Sequence, residues 1–252
     1  MMIKKLLFIV LLGCSYYLHA QDNNVLFKEA DNLERSFKEP EALEKYKQIL
    51  TNDAGNTKAL VKASELSCSI GSRTENKNDK RLNYESGLAF AQRALKADSN
   101  SAEANYAIAM ASGKMTEVEA ENKKVVAYVK DTKTYVEKAL TINANYGKAN
   151  FVLGRWHYEM INLSGVKRVA VKLFYGGLPE ASIENAIMYM EKCKSLDPYL
   201  MINYFYLNKA YKDNNKPAKQ IEVLSKMVKL PNRTIDDAAM KEDAQKQLQQ
   251  LQ

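Results

Sequence analysis

The sequence predicts an all-α protein, built as a right-handed solenoid of about five helix pairs with elongated middle repeats and a C-terminal capping helix. Two observations support this prediction. The 252-residue chain contains only 10 Gly and 5 Pro, which disfavours the many tight turns of a β-rich fold and suits long helices. The chain also contains internal repeats, which are typical of solenoids.

The repeats are clearest where each one ends. Similar short segments begin at Ile49, Ala94, Ala139 and Cys193, and more loosely at Met227, and each combines a helix end with Asp, Asn or Pro turn residues. A new helix opens after each turn, and a position suited to a small side chain then holds Ser64, Ala109, Gly154 and Asn208; Ala30 fits the same frame earlier. These end-of-repeat signals resemble the tetratricopeptide pattern.

The turns, at positions 54, 99, 144, 198 and 232, lie 45, 45, 54 and 34 residues apart, so the middle repeats are longer than the last one. We expect the additional residues to lie between the two helices of each pair, in 69–84, 114–131 and 162–182. Residues 74–80 are polar throughout, so an exposed loop is expected there. The repeat domain then covers 21–233, and 234–252, which opens with Thr234 as a helix N-cap, forms the capping helix.

Residues 1–20 have the pattern of an export signal. Lys4 and Lys5 precede a short apolar run at 6–12, and Ala20 offers a cleavage site. A second interpretation is open, because residues 11–14 (Leu-Leu-Gly-Cys) resemble a bacterial lipoprotein box that would lipidate Cys14. The expected location is therefore the periplasm, with an envelope lipoprotein as the alternative.

Charge and cysteine content bear on two questions, whether the protein binds nucleic acid and whether it contains a disulfide. The net charge of +7 is spread along the chain without a dense Lys/Arg run, so no nucleic-acid partner is predicted. Beyond the signal, Cys68 and Cys193 lie in distant repeats, and solenoid repeats are expected to touch only their neighbours. We therefore expect two buried thiols and no disulfide between them.

No pattern of catalysis or cofactor binding is present. His157 is the single histidine after residue 20, so a Cys/His metal site is not expected. Neither a phosphate-binding glycine loop nor a nucleophile elbow occurs. The sequence therefore predicts a non-catalytic protein with no cofactor, no metal and no catalytic residue.

A binding groove can be predicted from the repeat frame, because the first helices of successive pairs line the concave face of such a solenoid. At equivalent positions they carry aromatic and basic side chains, the usual anchors of peptide interfaces: Tyr106, Phe151, Arg155, Tyr158, Phe205 and Lys209. We predict that these residues bind a protein or peptide, with acidic groups toward the N-terminal half. In the competing interpretation, the aromatic residues only pack between repeats.

The long connection of the fourth repeat contains an amphipathic segment, 166–174. Val166, Val169, Ala170 and Leu173 recur at helical spacing, and the other face carries Lys167, Arg168 and Lys172. Such a segment can form a small helix that caps the groove. Alternatively it is a flap over an apolar ligand or a contact with a membrane surface.

One stretch resembles a known family more specifically. Residues 153–159 read Leu-Gly-Arg-Trp-His-Tyr-Glu, a long connection containing 172–179 (Lys-Leu-Phe-Tyr-Gly-Gly-Leu-Pro) follows, and Asn203-Tyr204-Phe205-Tyr206-Leu207 comes next. Together, within roughly 85–215, they resemble the regulator of microtubule dynamics family. The resemblance implies a tetratricopeptide-like fold and a binding role. We expect an exported adaptor that binds a protein or peptide in its groove, with a carrier of a lipid or other apolar ligand as the alternative.

Overall fold

The structure, a computed structural model, describes residues 23–251. These residues form twelve α-helices and one π-helical turn, with no strand among them. The helices are α1 (23–35), α2 (Glu39–Asn52), α3 (Thr57–Arg73), α4 (Lys77–Ala97), α5 (Ala102–Met115), α6 (Asn122–Ile142), α7 (Gly147–Ile161), α8 (Gly165–Val171), α9 (Ile183–Leu196), α10 (Met201–Asp213), α11 (Pro217–Lys229) and α12 (Asp237–Leu251). The predicted signal at 1–20 and the lipidation site at Cys14 lie outside the described residues.

The helices pair as the repeat frame predicts. α3 packs on α4, α5 on α6, α7 on α9 and α10 on α11, while Ala30 of α1 and Tyr46 of α2 join one buried core. α12 packs against α10 and α11 and closes the stack. The prediction of an all-α solenoid of five helix pairs with a capping helix is confirmed.

The solenoid curves toward its first helices. The backbones of α3 and α5, of α5 and α7, and of α7 and α10 approach each other closely, whereas the second helices α2, α4, α6, α9 and α11 show no such approach to one another. Between α9 and α11, the long side chains of Lys194 and Glu222 meet at 4.0 Å. A layer whose helices meet is the inner layer of a curved stack, and a layer whose helices diverge is the outer one. The first helices therefore form the concave side.

In the second and third repeats the additional residues lengthen helices rather than loops. The expectation of an exposed loop at 74–80 is wrong for 77–80, since α4 begins at Lys77. Asn76 caps this helix, and its Oδ1 accepts the backbone N–H groups of Asn78 and Asp79. In the same way α6 begins at Asn122, well inside the expected connection 114–131.

In the fourth repeat the connection contains α8 and a π-helical turn, Lys172–Gly176. The chain leaves this turn through Gly176 and Gly177, whose φ angles of 95° and 120° lie in the region that favours glycine. Contacts of α8 and of the π turn with α6 place this segment beside the outer layer.

Close approach of helices explains the small residues of the repeat frame. Ser64, Ala109 and Asn208 are buried, and at Gly154 a Cβ atom would lie 2.8 Å from Met190 Cγ and 3.0 Å from the Ala186 carbonyl oxygen. Trp156 is also buried, and its Nε1 donates a hydrogen bond to the Val129 carbonyl.

The two cysteines Cys68 and Cys193 are free and buried, as predicted. They lie at helix contacts of this kind: a Cβ atom added at Gly87 would lie 2.6 Å from Cys68 Sγ. Both thiols therefore act as small core side chains.

One contact joins the two ends of the solenoid. Arg73, in the last turn of α3, pairs with Asp236 at 2.9 Å and also with Glu39 at the start of α2. Asp236 lies 163 residues further along the chain, in the connection between α11 and α12. We call these three side chains the Arg73 clasp. Here the expectation that repeats contact only their neighbours is wrong.

The capping helix begins later than expected. α12 starts at Asp237, and Thr234 does not cap it through its hydroxyl. Instead, the Asp237 carboxylate accepts hydrogen bonds from the backbone N–H groups of Arg233 and Thr234 and from the Thr234 hydroxyl. Buried Asp237 thereby fixes the turn that brings Asp236 to the clasp.

Candidate functional site

The C-terminal half of the inner layer brings aromatic and basic side chains together. α7 presents Phe151, Arg155 and Tyr158 one helical turn apart, and α10 presents Phe205, Tyr206 and Lys209 opposite them. We call these six residues the Tyr206 cluster. Five of them were predicted from the sequence, and Tyr206 was not.

Tyr206 is the centre of this cluster. Its ring centroid lies 5.8 Å from that of Phe151, 6.1 Å from that of Tyr158 and 5.5 Å from that of Phe205. Two of these ring pairs are edge-to-face, the arrangement that aromatic quadrupoles favour. Burial raises the pKa of Tyr206, so the phenol is neutral at physiological pH. The cluster is therefore a preformed aromatic surface rather than a set of independent side chains.

Lys209 lies over this surface. Its Nζ atom is 5.4 Å from the ring centroid of Tyr206, 5.5 Å from that of Phe205 and 5.6 Å from that of Tyr158. These distances are within the range of cation–π attraction. Among residues 23–251, no carboxylate oxygen lies within 4.0 Å of this ammonium group. Lys209 is thus held by rings and has no counter-ion there.

Arg155 is the second cation, and its guanidinium lies 4.8 Å from the Tyr206 ring centroid. Glu117 and Glu159 are its ionic neighbours, at 3.7 Å and 3.6 Å. Both distances exceed hydrogen-bond length. Glu117 Oε2 already accepts the Tyr84 hydroxyl at 2.8 Å, so the Arg155 donors are loosely held and can turn to another acceptor.

The aromatic members of the cluster differ in how deeply they are buried. Phe151 and Tyr158 are 9% and 6% exposed, whereas Phe205 and Tyr206 are half-buried. The Tyr158 hydroxyl donates to Asp213 at 2.7 Å, and burial followed by this bond raises the Tyr158 pKa above its usual range. Phe151 and Tyr158 therefore support the surface, and the accessible atoms belong to Arg155, Phe205, Tyr206 and Lys209.

Tyr106, the sixth predicted groove residue, lies elsewhere. It is 7% exposed and packs edge-to-face on Tyr146, at 5.1 Å between centroids. Lys148 Nζ lies 5.9 Å from the Tyr106 ring and donates to Glu65 at 2.6 Å. For Tyr106, packing between repeats is thus what the structure shows.

The acidic groups expected in the N-terminal half of the groove are already paired. Although burial alone would raise it, the pKa of Glu65 is held below its usual value by Lys148 and Lys62. Lys62 also pairs with Glu34 at 2.9 Å, and Glu34 accepts the Tyr46 hydroxyl. This half of the concave side offers few free charges to a partner.

The other features considered as candidate sites are His157 and groups of possible metal ligands. His157 is buried and stacks on Tyr189 at 5.8 Å, and burial followed by the nearby Lys133 lowers its pKa. Within the described part of the chain, no three His, Cys, Asp or Glu side chains group as a metal site.

Two surface depressions lie outside the Tyr206 cluster and are open to solvent. One is lined by Val25 and Gln48 among others, and a second lies beside Pro198 and Val223. Neither is the enclosed apolar tunnel that a carrier of an apolar ligand would need.

Tyr206 was missed because the sequence frame takes one aromatic position from each repeat. That position in the fifth repeat is Phe205, and Tyr206 follows it directly. The run Tyr204-Phe205-Tyr206 was a usable signal, since three consecutive aromatic residues on one helix cannot all point into the core on one side.

Comparisons with known proteins agree with this architecture. The chain is 26% identical over 228 residues to regulator of microtubule dynamics protein 3 of Rattus norvegicus, which covers 88% of this chain and 48% of the rat protein. It is 30% identical over 148 residues to regulator of microtubule dynamics protein 1 of Mus musculus, which covers 58% of this chain and 48% of the mouse protein. The chain thus spans about half the length of these relatives.

Among solved structures, a thermophilic tetratricopeptide-repeat protein of Thermus thermophilus superposes with a TM-score of 0.63. The match covers 88% of this chain and 98% of that chain at 10% sequence identity, so it shows the fold alone. The fold is therefore tetratricopeptide-like.

The family assignment rests on a third comparison. The family model for regulator of microtubule dynamics proteins 1–3 matches residues 26–252, which cover the described helices except the first three residues of α1. This agrees with the resemblance carried by residues 153–159 and the connection that follows them. The chain belongs to the regulator of microtubule dynamics family.

Proposed function

We propose that this protein is a non-catalytic adaptor, and that the Tyr206 cluster binds an extended, carboxylate-bearing segment of a partner protein. One observation supports the choice of site above all others. Lys209 lies over three aromatic rings on the concave side and has no carboxylate within 4.0 Å among the described residues. A cation kept in place without a counter-ion is suited to an anionic ligand group.

The neighbouring groups fit the same ligand. A carboxylate placed between Lys209 and Arg155 would accept a charge-assisted hydrogen bond from each, and a guanidinium can offer two parallel donors. The half-buried rings of Phe205 and Tyr206 offer apolar area beside the two charges. An extended segment with an acidic residue or a C-terminal carboxylate next to an apolar side chain matches this arrangement.

Fold and family support a scaffold in general terms. Tetratricopeptide-like repeats present a curved surface formed by several helices, which suits contact with another chain. The alternative function, a carrier of an apolar ligand, would need an enclosed cavity, whereas the depressions beside Val25 and beside Pro198 are open to solvent. The adaptor is therefore the better-supported proposal.

The experiment begins with a photo-crosslinking amino acid at Glu159, an exposed position one turn from Arg155. After irradiation in the producing cell, mass spectrometry identifies the crosslinked segment. A synthetic peptide of that segment is then titrated against the protein by fluorescence anisotropy. We expect Lys209→Met combined with Arg155→Gln to weaken binding by about ten- to hundred-fold, which corresponds to one or two lost charge-assisted hydrogen bonds.

The matched control is Lys96→Met combined with Lys138→Met, which removes two exposed charges on second helices, away from the cluster. We expect the control to bind the peptide as the parent does. If the captured segment binds the Lys209 and Arg155 variant with parental affinity, or binds equally after its carboxylates are amidated, the proposed site is wrong.

We further propose that the protein is exported, with cleavage after Ala20 or lipidation of Cys14 as the two possible outcomes. The charge and apolar pattern of 1–20 supports this proposal. The intact mass of the protein from its native cell distinguishes the outcomes. A start at Gln21 indicates simple cleavage, an acylated Cys14 indicates an envelope lipoprotein, and an unprocessed Met1 contradicts export by either route.

A further inference from the structure

The connection of the fourth repeat exposes an apolar stripe to solvent. Val166, Val169 and Leu173 are 77%, 68% and 70% exposed, which is unusual for aliphatic side chains in a folded domain. Their spacing places them on one side of the continuous helical segment formed by α8 and the π turn. Ala170, at the edge of this side, and Val171 are buried against the rest of the protein, so the segment is fixed with its stripe exposed.

Cations flank this stripe and no acid balances them. Lys167, Arg168 and Lys172 are exposed, and none of them forms a salt bridge within residues 23–251. No Asp or Glu occurs from 160 to 179. We call the stripe and these three cations the linker surface.

The neighbouring helix α6 does not neutralise the linker surface. Its Lys130 lies 5.1 Å from the Tyr175 ring and adds a further positive charge. The carboxylate of α6 near Tyr175 is Glu137, which already pairs with Lys133 at 3.5 Å. The positive charge of the segment is therefore free to act on something outside the chain.

We propose that the linker surface docks the protein on an anionic phospholipid bilayer. Exposed aliphatic side chains in a helical segment, flanked by Lys and Arg, are the composition of helices that lie in the membrane interface. The stripe would enter the boundary between headgroups and acyl chains, and the cations would contact phosphate groups. A protein interface fits less well, because interfaces are depleted in Lys.

Such a contact is peripheral. In the described part of the chain, no helix is both long and apolar enough to cross a bilayer. α8 and the π turn span twelve residues, about 18 Å of helix, which suits an orientation in the membrane plane. The segment lies beside the outer layer, so the concave side would stay accessible while the protein is docked.

Vesicle flotation tests the proposal with residues 21–252, which include every described helix and exclude Cys14. We expect binding to vesicles of phosphatidylcholine with phosphatidylglycerol, weak binding to phosphatidylcholine alone, and release by salt. Lys167→Glu with Arg168→Glu should weaken binding by about five-fold or more for each cation removed. The control, Lys28→Glu with Lys96→Glu, makes the same change in net charge at exposed positions on α1 and α4 and should retain far more binding.

A second pair of variants tests insertion of the stripe. The single native Trp156 is buried, so its emission provides a constant background. We expect Val169→Trp to show a blue shift with the anionic vesicles, and Leu82→Trp, at a position that is 59% exposed on α4, to show none. Equal binding by both charge variants, equal binding to neutral vesicles, or no shift at residue 169 would each overturn the proposal. The vesicle experiments are independent of whether the Tyr206 cluster binds a peptide, because Lys209→Met should leave vesicle binding unchanged.

Discussion

Lys148 in the first turn of α7 donates a 2.6 Å hydrogen bond to Glu65 in the middle of α3, across one intervening repeat. The ammonium group passes over the ring of Tyr106, the α5 residue between them. This pair spans the N-terminal half of the concave side. It therefore couples three repeats directly, whereas a regular solenoid couples only neighbours.

The Glu65–Lys148 pair is expected to stabilise the fold. Its side chains are 17% and 35% exposed, and Glu65→Gln would leave Lys148 and Lys62 without their shared carboxylate. We expect a loss of about 1–3 kcal/mol in the free energy of unfolding, measured from the urea midpoint. Glu242→Gln is the control, because the Glu242–Lys246 pair is 67% exposed on both sides and screened by solvent, so its loss should leave the urea midpoint nearly unchanged.

The same pair predicts a pH dependence. Lys148 and Lys62 hold the Glu65 pKa below its unfolded value, despite the opposing effect of burial. A carboxyl with a lowered folded pKa contributes stability that is fully present above the unfolded pKa of about 4.3 and is lost as the pH falls through the folded pKa. The difference in urea midpoint between the parent and Glu65→Gln should therefore be constant near neutral pH and shrink below about pH 4. A difference that grows on acidification would contradict the assignment.

Gly154 is expected to tolerate no larger residue. An added Cβ would lie 3.0 Å from the Ala186 carbonyl oxygen, and this backbone atom cannot move without shifting α9. We expect Gly154→Ala to reduce stability by about 1–3 kcal/mol in thermal or urea unfolding. Gly165→Ala is the matched control: nothing lies within 4 Å of its added Cβ, so stability should stay the same or rise slightly. Equal effects of the two substitutions would show that α7 and α9 are not closely packed.

The two core thiols should be inert in the native state. Burial raises the pKa of Cys68 and that of Cys193 to about 12, so almost no thiolate is present near neutral pH. With residues 21–252, Ellman's reagent should label neither thiol rapidly in buffer and both after denaturation. Rapid native labelling would contradict the burial, and a mass lower by two hydrogens would indicate a disulfide.

The repeat frame in the sequence predicts most of the fold, because close helix contacts restrict residue types. Gly154 and Ala109 were identified as contact positions for this reason. A neighbouring helix passes closely at Gly154, and Ala109 is fully buried. The prediction failed at 77–80 because polarity was taken as a sign of a loop. Those residues form the largely exposed first turn of α4, and the informative residue was the cap Asn76.

The candidate site was less predictable. Equivalent positions in successive repeats give the right helix faces, so Phe151, Arg155, Phe205 and Lys209 were placed together. The central position of Tyr206 depends on how α10 is rotated about its axis relative to α7. The fourth repeat, between the turns at 144 and 198, is 54 residues long, and its sequence spacing does not predict that rotation. The Glu65–Lys148 pair was also missed, since the two residues are 83 positions apart and only the curvature of the stack brings them together.

The Arg73 clasp has a consequence for how this chain can change in length. Neighbouring helices pack about 8–10 Å apart, so inserting or deleting one helix pair would displace Asp236 from Arg73 by roughly that distance. The 2.9 Å contact between Arg73 and Asp236 would then be lost. Arg73 would pair with Glu39 alone, whose side chain is 9% exposed. Open solenoids gain and lose repeats freely, whereas here the number of repeats is tied to the closure of the two ends. Variation among sequences that keep the clasp should therefore accumulate in the length of single helices and of the 162–182 connection, at a constant number of helix pairs.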